Sequence, residues 1–141
     1  MTDTIDEIFL ADLEARGAPD VFISYKRRER PRIGALAQAL GRLGLDVWYD
    51  SRIRPGDPFN KEIQYMAEKC RSMVVCWTKA CFEKDDSGYV RHEAEIGRQR
   101  GVMAAICLEP LGAILLPHPF NQDHVEDLTA WLRALGEGVE A

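Results

Sequence analysis

The run Val21-Phe22-Ile23-Ser24-Tyr25 is apolar, β-branched and aromatic, without the alternation of a strand that faces water on one side. It reads as a strand buried on both faces. Three runs of the same kind follow: Leu45-Asp46-Val47-Trp48-Tyr49, Met73-Val74-Val75-Cys76-Trp77 and Val102-Met103-Ala104-Ala105-Ile106-Cys107-Leu108. Helical patterns separate them. Ile33, Leu36, Ala37, Leu40 and Leu43 recur at helical spacing, with Gly44 as the stop. Asp57 can cap a second helix with Pro58 at its first position, and Phe59, Ile63, Met66, Ala67 and Cys70 form its stripe. A third helix is expected from about Tyr89 to Arg100, closed by Gly101. The last pairs an Asp123 cap with Glu126 and carries Val125, Leu128, Trp131, Leu132 and Leu135. Ahead of the first strand, Ile5, Ile8, Phe9 and Leu13 outline a weaker amphipathic helix, broken by Gly17-Ala18-Pro19.

Strands alternating with helices imply right-handed crossovers and a mostly parallel sheet. We expect an α/β, flavodoxin-like open sheet of four or five strands flanked by helices. Ile114-Leu115-Leu116 is the candidate fifth strand. Such sheets bind ligands beyond the carboxyl ends of their strands, at the switch point between strands one and three.

The chain has 141 residues, 46% apolar and 29% charged, which fits one folded domain and disfavours disorder. No apolar run is long enough for a membrane span. Met1-Thr2-Asp3-Thr4 lacks the basic start and apolar stretch of a signal peptide, so a cytoplasmic protein is expected. Cys70, Cys76, Cys81 and Cys107 form no C-x-x-C, and His92, His118 and His124 are not at metal-finger spacing. Reduced, buried thiols and no metal are expected. The net charge of −5 hides an asymmetry. Residues 1–20 and 121–141 are acidic, leaving 12 acids and 16 bases in residues 21–120.

Five of those bases follow the first strand: Lys26, Arg27, Arg28, Arg30 and Arg32, with Glu29 the one acid among them. A basic cluster at a strand end, feeding a helix N-terminus, suits an anionic group such as a diphosphate. Neither a P-loop nor a G-x-G-x-x-G motif is present. A solvated helix start is the simpler account of the same residues. Stepping about 100° per residue from Tyr89, Val90, Glu93, Ala94, Ile96 and Gly97 share one arc, with Glu95 and Arg91 opposite. A carboxylate on a core-facing arc needs a reason, because uncompensated burial is costly. Glu93 could answer the helix dipole, pair with the arginines after strand one, or face the strand-end crevice.

The pieces together resemble a Toll/interleukin-1 receptor (TIR) domain over residues 20–135, with an N-terminal extension (1–19) and a tail (136–141). The matching motifs are Asp20-Val21-Phe22-Ile23-Ser24-Tyr25, then Val47-Trp48-Tyr49-Asp50 with the loop Pro55-Gly56-Asp57, then Tyr89-Val90-x-x-Glu93. In this order and spacing they are a strong signal, and the short, single-domain form with Val47-Trp48-Tyr49-Asp50 looks bacterial. The resemblance implies cleavage of NAD+ at the nicotinamide–ribose bond, with NAD+ as substrate and no further cofactor. It implies Glu93 as the catalytic carboxylate, and Tyr25, Lys26, Arg27, Asp50 and Tyr89 around the nucleotide. It implies that Arg54, Pro55, Gly56 and Asp57 form a loop touching a neighbouring copy, and that an upstream sensor partner is compatible. Tyr89 stands where Trp is commoner, and Trp77 where the family usually has a smaller aliphatic residue. The region between strand four and the last helix lacks the Trp of some cyclase-type members, which leaves ADP-ribose and its cyclised form both open. An interaction scaffold is the competing reading. A receiver domain would need an acid at the end of strand three, where Trp77-Thr78 supplies none. A nucleic-acid binder is disfavoured by the small patch and the lack of a reading motif.

Overall fold

A computed structural model describes residues 17–49, 60–83 and 89–140. Among them five parallel strands form one sheet: β1 (Val21–Ser24), β2 (Val47–Tyr49), β3 (Ser72–Trp77), β4 (Met103–Cys107) and β5 (Val125–Asp127). Their order is β2-β1-β3-β4-β5, the open flavodoxin-like arrangement expected from the sequence. Four α-helices flank the sheet among the described residues: α1 (Arg30–Gly41), α2 (Asn60–Lys69), α3 (Tyr89–Arg100) and α4 (Thr129–Glu140). No helix among the described residues is long and apolar enough to cross a membrane.

The core splits into two layers because side chains alternate along each strand. Val21 and Ile23 pack with Ile33, Leu36 and Ala37 of α1, and Trp131 and Leu132 of α4 lie against that cluster. Phe22 points the other way, into a cluster with Met66 and Ala67 of α2 and Val90 and Ala94 of α3. Its ring stacks on Trp48 at 5.2 Å. Each fully buried side chain of this size contributes about 1.5–3 kcal/mol of hydrophobic stabilisation. Burying β1 on both faces therefore fixes one pair of helices to each side of the sheet.

Several expectations are corrected. Ile114-Leu115-Leu116 forms no strand; the fifth strand is Val125–Asp127, which pairs with β4 through Ala105↔Val125 and Cys107↔Asp127. The last helix accordingly starts at Thr129, whose backbone N–H donates to the Asp127 carboxylate at 2.9 Å. Asp123 is not the cap and pairs with Arg98 instead, at 2.9 Å. That helix runs past residue 135 to Glu140. Leu43 is no part of a buried stripe: α1 ends at Gly41, and Leu43 is 74% exposed in the turn that follows. Gly44 and Gly101 close α1 and α3 with φ of +86° and +72°, backbone that favours glycine. The expected N-terminal helix (Ile5, Ile8, Phe9, Leu13) and the Asp57 cap with Pro58 and Phe59 lie outside the described residues.

Two contacts hold α3 in place. Arg100, at its end, donates to the carbonyl oxygens of Ala67 and Cys70, each at 2.7 Å, and so satisfies the carboxyl end of α2. Gly97 lies so close to β3 that a Cβ there would meet Met73 Sδ at 2.7 Å and Met73 Cε at 3.3 Å. A Gly97→Ala variant should lose about 1–3 kcal/mol of stability despite its better helix propensity, because α3 or Met73 must move. Urea denaturation measures this, and undiminished stability would show that Met73 yields freely.

Candidate functional site

Ser24 ends β1 beside Val75 of β3, at the carboxyl edge where the switch point lies. Its hydroxyl donates to Glu93 Oε1 at 3.1 Å, across a separation of 69 residues. Ser24 is 1% exposed and Glu93 9%. The arc assigned from helical geometry is the buried one: Val90, Glu93, Ala94 and Gly97 are buried, while Glu95 is exposed. Glu93 is thus a carboxylate drawn into the layer between α3 and the sheet, with a hydroxyl donor meeting it there. A hydrogen bond to a charged group is worth about 1.5–3 kcal/mol, which offsets part of the burial cost.

The chain after β1 builds the rest of the edge. Tyr25 is half-buried, its ring 6.2 Å from that of Tyr49 at the end of β2 and tilted by 57°. Lys26 is extended and leads into a single 3₁₀ turn, Arg27–Glu29, which runs directly into α1. The five bases therefore sit on a strand end, a turn and a helix start, as the sequence placed them. Glu29 lies 3.3 Å from Arg32 and 3.8 Å from Arg28. Both arginine side chains are more than half exposed, so these pairs are worth about 0–1 kcal/mol each. Tyr89 opens α3 and is 48% exposed. Beyond β3 the Lys79 N–H donates to Glu109 Oε1 at 2.6 Å, joining the ends of β3 and β4. Asp50, Arg54, Pro55, Gly56 and Asp57 lie outside the described residues.

Trp77 belongs to the core and not to a site: it is fully buried, with Phe82 and Phe120 at ring distances of 5.1 and 4.8 Å. Among the described residues no group of His, Cys, Asp and Glu could hold a metal ion. The residue that sequence reasoning missed is Ser24. Its signal was present, since it is the one polar side chain in the buried run Val21–Ser24.

A family model for the TIR domain matches residues 21–139. The chain belongs to the TIR domain family. Among curated proteins none matches it.

All four cysteines are free and buried. Burial pushes the thiols of Cys70 and Cys76 up from their ordinary value of 9.0. Burial, and next the Asp127 carboxylate, pushes Cys107 up to about 11. A raised thiol pKa means that the folded chain keeps protons the unfolded chain has lost. This contribution to stability is complete below pH 9.0 and disappears as pH rises through about 11. Thermal unfolding followed over that range should show a falling midpoint, and Cys107→Ala should flatten the fall. An equal slope in the variant would contradict the assignment to Cys107.

Proposed function

We propose that this TIR domain cleaves NAD+ at the nicotinamide–ribose bond, giving nicotinamide and ADP-ribose or its cyclised form, and that it does so when copies assemble. The observation that carries the reading is Glu93, a buried carboxylate drawn to the end of β1 at the switch point and flanked in the chain fold by a basic cluster. The chemistry asks for little else. The nicotinamide nitrogen is already cationic, so it leaves as a neutral base with the bonding electron pair and needs no acid to protonate it. Positive charge then develops on the ribose as an oxocarbenium-like species. A fixed carboxylate beside the ribose stabilises that charge more than it stabilises the substrate. Water, or the adenine in the cyclised case, then attacks the anomeric carbon, and the attacking group releases a proton. Lys26 and Arg27, with the amino end of α1, suit the diphosphate, and Tyr25 and Tyr89 the rings.

The test is incubation of purified protein with NAD+, at high concentration or with a crowding agent, with nicotinamide release as the readout. Glu93→Gln should reduce release by about 10²–10³-fold, the scale of losing a group that stabilises transition-state charge. Release that survives the substitution removes the mechanism. No release under any assembling condition leaves the domain as an interaction scaffold.

TIR domains associate with one another, and the loop carrying Arg54, Pro55, Gly56 and Asp57 is our candidate for that contact, with an upstream sensor as a compatible partner. Gly56→Pro removes a backbone N–H and fixes φ, so it should lower both activity and oligomer size. Full activity at unchanged size would count against the loop.

A further inference from the structure

We infer that Ser24 is a positioning residue for Glu93: its hydroxyl holds the carboxylate in the orientation that the ribose requires. The inference rests on the NAD+-cleaving reading of the same site and deepens it.

Ser24 is held by the sheet and is buried. Its backbone is part of the β1–β3 ladder, opposite Val75. Its neighbours Val21, Phe22 and Ile23 are buried on alternate faces, so the register of β1 cannot slip without exposing them. Phe22 faces the layer that contains α2 and α3. Ser24, two residues on, faces the same way, and this parity aims the hydroxyl at α3. From the other side, Gly97 seats α3 against Met73 one turn beyond Glu93. Both ends of the 3.1 Å hydrogen bond are therefore held by packing independent of it.

The glutamate side chain has several rotatable bonds and pays entropy to be fixed. A donor at Oε1 selects one orientation of the carboxylate. Small errors of placement cost rate steeply, and a carboxylate that stabilises developing charge must be in place before the bond breaks. The residue type also fits. Alanine would fill the position and leave the carboxylate without this donor. Glutamine at 93 could still accept from the hydroxyl but would lack the charge. The two residues thus divide the work, Glu93 supplying charge and Ser24 its orientation.

The experiment compares wild type, Ser24→Ala and Ser24→Cys as full chains under assembling conditions, with initial rates across NAD+ concentrations. Ser24→Ala should lose about ten- to a hundredfold in kcat, the scale of one hydrogen bond to a charged group, while KM stays within about twofold. Ser24→Cys, with a weaker donor, should fall between. An undiminished kcat in Ser24→Ala overturns the inference, as does a loss that appears only as a raised KM. An inactive wild type sinks the NAD+-cleavage reading instead. Crystal structures of wild type and Ser24→Ala then decide the positioning alone. A Glu93 carboxylate turned away in the variant supports it, and one left in its wild-type place refutes it.

Discussion

A strand with no wet face must be covered twice, and β1 is such a strand. Val21 and Ile23 require α1 and α4 on one side; Phe22 requires α2 and α3 on the other. A chain that covers both faces of a parallel sheet has to reverse its winding somewhere. Here β2 lies on one side of β1 and β3 on the other, which puts the reversal at β1 itself. In open sheets of this kind such a reversal leaves a crevice beyond the carboxyl ends of the strands. The placement of Glu93, Tyr25 and the basic turn at one edge is a consequence of that cover.

The parts legible in the sequence are those whose signal is local. Two-sided burial wrote β1, β3 and β4 as unbroken apolar runs. Helical spacing and a closing glycine mark the end of α3 at Arg100, and the same geometry separates Glu93 from Glu95. β5 was misread for an equally physical reason. Only Val125 of its three residues is buried, so Val125–Asp127 carries no strand pattern, and Asp123 with Glu126 imitates a helix start. In the folded chain those acids meet Arg98 and His124, partners that a helix-start reading does not anticipate. Leu43 continued a helical spacing after the helix had ended, since periodicity does not report where backbone hydrogen bonds stop.

At the site, residue types were readable and their pairings were not. A carboxylate on a core-facing arc needs compensation, and the arginines after β1 are the partners that the sequence suggests. The serine that meets it stands 69 residues away, and in the sequence it is one polar residue closing a strand. Its meaning depends on parity along β1 and on how deeply α3 seats, both of them properties of the assembled layers. The basic cluster was visible as composition. The pairing of Glu29 with two of its members was not, nor was the 3₁₀ turn that carries the chain into α1.

The sheet ends in two strands of three residues each, β2 and β5, and β5 turns Glu126 and Asp127 to solvent. Among the described residues little backbone is left at either margin for a foreign strand to extend, and what β5 offers is charged. This matters for a domain proposed to work when crowded. Short, charged margins disfavour strand addition between copies at high local concentration, an association that often cannot come apart again. Short margins thus act as a safeguard against amyloid-like growth under the crowding that its proposed activity calls for.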